Sequence, residues 1–426
     1  MADTNDYFRE KKKSLLRRRI IQGTTEDEGN GGVSAVPEGA EGETPLEELL
    51  ARRRKKKLLG ALLLTLCAVL GAVLVWYYLN HRTYSSYTVS WQRSLEGSSM
   101  AEYSAFNGCI LKYSRDGAAC YDSSGEMIWN QGYEMKEPIL QICGEYAVIA
   151  DQQGYSVYIF GPEGCTGQAT TTLPITRAQI ASQGVVAVIL EDSRSNTIAF
   201  YDRTGTALEI EIKTLIDEYG YPLDIGLSPD GQQLAVAYIY MDAGTMMNKV
   251  VFYNFDVGKN QQDRVVGIFM EYESAMIGEV TFMGNDRACA FADDRVDFYS
   301  LQNALSPQLI QSVTYEGREI DSVFYSDSCA AVIVAGSGAD GSRQLHVYDA
   351  QGQELFTKDV VMAYSHAEFC GDYVLLYNDT NCQIYDPNGS MVYQGTLEGT
   401  ITKCIPVSRS RIFQIGGQVL SELRLR

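Results

Sequence analysis

Histidine is scarce in these 426 residues: only three occur, and His81 directly follows a long apolar run, which leaves His346 and His366 for any site. Both fall in or beside apolar strand-like phrases, a setting that suits structural histidines better than metal ligands or general bases. The chain has no HExxH, no Walker-type phosphate loop, no GxSxG and no CxxC. These absences argue against zinc hydrolases, P-loop enzymes, serine hydrolases and dithiol chemistry, so no catalytic residue, cofactor or metal is expected. Basic charge is also short, with 35 Lys and Arg against 54 Asp and Glu and a net charge of −19. That balance opposes nucleic acid as a partner and favours cationic partners or contact through a neutral patch. The ten cysteines are scattered singly. Cys67 lies inside the apolar run, and the other nine sit mostly in or beside apolar strands, where reduced cysteine packs as a small hydrophobe. An extracytoplasmic setting would permit disulfides among them.

What the chain does have is one uninterrupted apolar stretch, LLGALLLTLCAVLGAVLVWYYLN at 58–80. Twenty-three residues without a charge are long enough to span a bilayer as a helix. RRRKKK at 52–57 precedes the stretch, whereas only His81 and Arg82 follow it, so the positive-inside rule places residues 1–57 in the cytoplasm and the rest outside. Bulky WYYLNHR stands where a cleavage site would need small residues, which favours an uncleaved signal anchor in the cell membrane. Lipid is therefore the expected partner of 58–80. Thr44-Pro45-Leu46-Glu47 reads as a capping box from which the membrane helix starts inside the cytoplasm. Before it, residues 23–43 have hardly an apolar side chain and read as a disordered linker, and 7–22 form a basic stretch that suits either contact with the anionic inner leaflet or a solvated tail that enforces topology.

Beyond the span one phrase keeps returning: a short apolar strand, an aromatic residue, a turn with Gly, then another strand. Examples are ACYDSSGEMIW at 119, AFYDRTGTALE at 199, HVYDAQGQELF at 346 and QIYDPNGSMVY at 383. Tyr121, Phe160, Tyr201, Tyr253, Tyr299, Tyr348 and Tyr385 align at a mean spacing of about 44 residues, which suits one four-stranded propeller blade. Apolar runs between them (VVAVIL at 185, LAVAYIY at 234, AAVIVA at 330, YVLLY at 373) suit strands covered on both faces. The C-terminus supplies three strands of a further blade, and TVSWQRSLEG at 88, with Trp91 matching Trp129, supplies its missing fourth. The expected fold is all-β: an eight-bladed β-propeller over 88–426 closed by its N-terminal strand, with seven blades as the alternative count. Asp122, Asp202, Asp349 and Asp386 stand regularly before Gly, which indicates turn chemistry rather than metal ligation.

LSPDGQQLAVA at 227–237 is similar to the hairpin phrase of WD40-like and TolB-type propellers, and the aromatic-Asp-x-x-Gly phrase followed by Trp129 resembles quinoprotein-like blades. The adjacent cysteines of the quinone dehydrogenases are lacking. As a whole, basic tail plus anchor plus propeller resembles an uncharacterised family of Gram-positive single-pass membrane proteins, a resemblance that implies location and fold and no reaction.

Binding residues tend to ride on loops held by a rigid scaffold, and the long insertions cluster in blades three to six. KTLIDEYGYP at 213, YMDAGTMMN at 240, MEYESAMIGE at 270 and GSGADGSR at 336 should emerge on one face. That face is expected to expose Tyr219, Tyr221, Tyr240, Met241, Met246, Met247 and Tyr272, a set suited to a protein or envelope ligand. The leading expectation is a non-catalytic binding or scaffolding module at the cell envelope. An enzyme acting on envelope carbohydrate would instead need carboxylates and a basic group converging in the central channel, and a sensor would need signalling through the tail. Residues 81–87 leave a spacer of at most about 25 Å. Because the closing strand is the outermost of its blade, the long-loop face should point away from the membrane.

Overall fold

The computed structural model describes residues 46–95, 100–257, 262–272, 275–315, 317–336 and 342–426. The tail expectations for 1–45 and most of the 336–343 insertion lie outside them. Two compact units divide between residues 73 and 74. Leu46–His81 is one continuous helix of 36 residues, and its section Lys57–Val75 is long and apolar enough to cross a membrane, with none of it buried in protein.

In the second unit, eight four-stranded antiparallel sheets form eight propeller blades, which removes the seven-bladed alternative. Blades one to seven cover 102–132, 138–170, 175–215, 221–269, 277–314, 320–360 and 366–396, each with its strands in sequence order from the channel outward. Blade eight takes its inner three strands from Lys403–Ser408, Arg411–Gly416 and Val419–Leu425. Its outer strand is Tyr87–Ser94, antiparallel to Val419–Leu425 with Tyr87 opposite Leu425 and Ser94 opposite Val419.

The repeated phrases become the same elements in each blade. The apolar runs are second strands, buried on both sides because a blade packs on either flank: Val186, Ala187, Val188 and Ile189 are fully buried, as are Ala330 to Val334. Each valine or isoleucine among them contributes roughly 1.5–3 kcal/mol relative to exposure. The aligned aromatics from Tyr121 to Tyr385 close the third strands and are all buried. The Asp residues before Gly do turn work: each carboxylate accepts two backbone N–H groups, as in Ser124 and Glu126 to Asp122 (both 2.8 Å) and Asn388 and Ser390 to Asp386 (3.0 and 2.9 Å). Gly389 in the last of these turns has φ +73°, and a Cβ there would sit 2.5 Å from the Phe356 ring.

Strand direction sorts the connections onto two faces. Turns between first and second and between third and fourth strands share one face, and the chain enters there, because Tyr87 lies beside the end of the third strand of blade eight. Hairpins between second and third strands and the links between blades share the other, called here the loop face. The entry segment is not a loose spacer. The Tyr84 N–H donates to the Val392 carbonyl (2.8 Å), Tyr84 forms a parallel bridge to Tyr393, and its side chain is buried. Arg409 reaches both the Asp386 carboxylate (2.6 Å) and the Arg82 carbonyl (3.4 Å). A tyrosine ring left in water would forgo its burial, so the spacer binds along the outer edge of blade seven.

Candidate functional site

On the loop face, blade four carries the most prominent feature. Its second and third strands, Gln233–Asp242 and Thr245–Asn254, run past their neighbours and are joined by a two-residue turn with both central residues at positive φ, Ala243 (47°) and Gly244 (85°). Side chains alternate along this ribbon. Tyr240 and Met247 are cross-strand partners continuing the row of Leu234, Val236 and Tyr238 that packs against blade three. The Lys249 ammonium lies 4.8 Å from the Tyr240 ring centre, a cation–π contact. Met241 and Met246 are partners on the opposite side, in the row of Ala235 and Ala237 that faces blade five, and are 65% and 50% exposed.

Tyr219 ends a one-turn helix, Ile216–Tyr219, and is 39% exposed. Tyr221 is half-buried at the start of the next inner strand, with its hydroxyl donating to Glu191 Oε1 of blade three (3.2 Å). It braces two blades more than it presents a surface.

Tyr272 departs from expectation: it is 1% exposed, and its hydroxyl bonds that of Tyr299 at 2.5 Å. The reason is a repeat that spacing did not reveal. Tyr272 and Tyr315 both follow the outer strand of their blade, and Tyr315 pairs the same way with Tyr348 (2.6 Å). Such tyrosines pack the inter-blade seam. The surface in that link belongs instead to Met270 and Met276, 51% and 49% exposed, which residue type alone did not single out.

Exposed apolar side chains are unevenly shared between the faces. Met100, Tyr155, Tyr219, Met241, Met246, Met270, Met276 and Val361 stand in loop-face connections or at the ribbon tip, with Leu215 and Val419 at strand ends beside them, against Val257, Leu305, Val407 and the strand-end residues Met127, Leu208 and Leu355 at the entry face. Acidic residues accompany them on the loop face: Asp217, Glu218, Asp242, Glu271 and Asp293 are exposed.

A second cluster lies in the channel. In blades three, four, five and six the inner strand carries a β-bulge just after its start, at Ile175/Arg177, Pro222/Asp224, Ile277/Glu279 and Ile320/Ser322. The bulge is what re-aims the residue that follows. Arg177 Nε lies 3.4 Å from Asp224 Oδ1, while Asp224 Oδ2 accepts the Val280 N–H of the next blade (2.9 Å). Asp224 is 7% exposed. Burial pushes its carboxyl up to about 7, with the Glu279 charge adding to the rise and the Val280 N–H and Arg177 opposing it. Burial also raises Glu279, against a hydrogen bond from Tyr325. Tyr325 in turn lines a cavity of about 460 Å³ at the entry-face mouth of the channel, together with Asp327, Glu368, Asp372 and Lys403. Lys403 and Tyr377 both bond Glu368 there. One signal in the sequence marks this layer: a single charge set into an otherwise apolar inner strand, as in ITRAQI at 175 and IGEVTF at 277.

His346 bonds Glu354 (2.8 Å) and His366 stacks on Tyr377, so both histidines serve strand packing. Among the described residues no group of His, Cys, Asp and Glu is arranged to hold a metal ion.

Comparison with solved structures supports the architecture. Sqt1 of Chaetomium thermophilum, solved bound to the N-terminus of the ribosomal protein L10, is similar with a TM-score of 0.51 at 12% identity, over 78% of this chain and 98% of that one. BamB from Moraxella catarrhalis aligns over 80% of this chain and all of its own, with a TM-score of 0.46 and 13% identity. No curated protein matches the chain. Residues 80–425 match the model of a family of unknown function, DUF5711, and the chain belongs to that family.

Proposed function

We propose that this protein is a membrane-tethered, extracytoplasmic binding module that docks a protein partner on its loop face. The observation that carries the reading is the uneven division of exposed apolar side chains between the two faces, with thioethers and a tyrosine gathered around blades three to five. Water-exposed apolar groups collected on one side of a rigid scaffold suit a contact surface, and methionine adapts to varied partner shapes. Residues 58–80 serve as the anchor in the cell membrane, with the basic block at 52–57 in the cytoplasm. The fold of Sqt1, a propeller solved with a peptide segment bound, is compatible with the reading and does not specify the partner.

The test uses intact cells and a membrane-impermeant maleimide photo-crosslinker attached at Met246→Cys, compared with Val257→Cys on the entry face, both in a chain whose accessible cysteines Cys109, Cys143, Cys165, Cys329 and Cys370 are replaced by Ser, with that chain lacking an added cysteine as the control. One reproducible partner captured from position 246 alone, and lost when Tyr219 and Met241 become Ser, is the expected result. Equal capture from both positions, or no capture, overturns the docking face.

The channel supports a second reading, because carboxylates and a basic group do converge there: Arg177, Asp224 and Glu279 with Tyr325. A carboxylic acid poised near neutrality beside a second carboxylate is the pairing used in acid–base hydrolysis of glycosidic bonds. Glu279→Gln should then abolish release of reducing sugar from cell-wall glycan by the purified protein. Asp224 also makes a prediction independent of any substrate. Its carboxyl titrates near 7 when folded and near 3.9 when unfolded. Between those values the folded chain holds a proton that the unfolded chain has released, so its contribution to stability declines as pH rises from about 4 to 7, by up to about 4 kcal/mol. Asp224→Asn should remove that part of the decline, as read from urea unfolding at several pH values; parallel curves would show that Asp224 titrates normally.

A further inference from the structure

The loop face has a definite chemistry, and resting on the docking reading above, we infer that its partner is a basic, apolar-studded polypeptide segment held by the methionines of blades four and five. Met241 and Met246 project from the blade-five side of the ribbon, and Met270 and Met276 stand in the link between the same two blades. All four are about half exposed or more. Unbranched thioethers reshape easily around leucine, isoleucine or phenylalanine side chains, which favours an amphipathic ligand over one fixed shape.

Charge decides which amphipathic ligand. Asp242 sits at the ribbon tip beside Met241, and Glu271 directly follows Met270; both are exposed, and among the described residues neither takes part in an ion pair. The described cations at the loop-face ends of blades four and five are committed, while Arg194 and Lys213 of blade three are exposed. Arg295 is held by both carboxylate oxygens of Asp294 (2.8 and 2.9 Å), and Lys249 lies over the Tyr238 and Tyr240 rings. An acidic segment, or the surface of an anionic membrane, would meet unpaired carboxylates around the apolar groups, whereas lysines and arginines flanking an apolar stripe would pair with them. The strongly acidic balance of the whole chain acts in the same direction at longer range.

Binding is measured by fluorescence anisotropy on the full chain in uncharged detergent micelles, with two labelled 18-residue amphipathic peptides of equal apolar content, one carrying lysine and the other glutamate. The lysine peptide should bind, weakening several-fold when salt rises from about 0.05 to 0.3 M, because exposed charges are screened over that range. Met241→Ser with Met246→Ser should weaken it tenfold or more at all salt concentrations, while Asp242→Asn with Glu271→Gln should weaken it chiefly at low salt. Oxidation of the exposed methionines to sulfoxides should reproduce the serine result and be reversed by methionine sulfoxide reductase. Equal binding of the glutamate peptide, unchanged binding by the serine variant, or association only with vesicles of anionic lipid would overturn the inference. The outcomes separate from those of the docking test: a partner captured at position 246 through an acidic or neutral segment leaves the face standing and removes this chemistry.

Discussion

A chain that begins at residue 95 is expected to lose cooperative folding, whereas one that begins at residue 83 keeps it. Tyr87–Ser94 is the outer strand of blade eight and pairs with Val419–Leu425 over its whole length. Without it the last blade exposes an open strand edge, and the ring is no longer closed by an element from the other end of the chain. The loss is larger than one strand's hydrogen bonds. Trp91 packs against the core that joins blades eight and one, and Tyr84 belongs to the buried cluster between blades seven and eight. At about 1 kcal/mol per net hydrogen bond and roughly 2 kcal/mol for each large apolar group, removal costs well over 5 kcal/mol, comparable with the whole stability of many domains. Thermal unfolding followed by circular dichroism should show a broadened or absent transition for the shorter chain. A transition of the same midpoint and width would mean that the ring holds without its closing strand.

The second large effect separates side chains a few residues apart in one link. Tyr272→Ala should destabilise the propeller by about 3–5 kcal/mol, the usual cost of emptying a buried aromatic site. Tyr272→Phe should cost about 1–3 kcal/mol, because the Tyr299 hydroxyl then loses its 2.5 Å partner while remaining buried. Met270→Ser and Met276→Ser should stay within about 0.5 kcal/mol, since exposed side chains have little packing to lose. Urea unfolding of the four variants checks the order. If Tyr272→Ala were as mild as Met276→Ser, Tyr272 would belong to the surface after all.

That contrast shows how the site was only partly legible. The repeating phrases located the long links of blades three to five, and strand direction within a blade then placed them all on one face. Which residue of a link meets water was not readable from its type. Tyrosine and methionine both suit contact surfaces, but Tyr272 occupies a recurrent seam position that Tyr315 also fills, and the seam exists only once a neighbouring blade covers it. Tyr221 likewise becomes a brace because Glu191 of the preceding blade comes within reach of its hydroxyl. Tyr240 and Met247 separate from Met241 and Met246 by strand alternation, a rule that applies only after the register of the ribbon is set.

The amino-acid sequence by itself determined the repeating blade, the order of the blades, the identity of the closing strand and the presence of one apolar helix, while the count of eight rather than seven was decided by the eight sheets of the fold. These rest on local rules: apolar runs with a repeat period, aspartates that bond their own turn, and a tryptophan phrase found once out of order at residue 88. Only the tertiary structure decided where Arg177, Asp224 and Glu279 meet, because residues about 50 apart come together through bulges in three separate inner strands around a shared axis. It also decided that the entry segment grips blade seven and that Met270 and Met276, not Tyr272, face water. Each of these depends on contacts between blades, and closure of the ring is what creates those contacts.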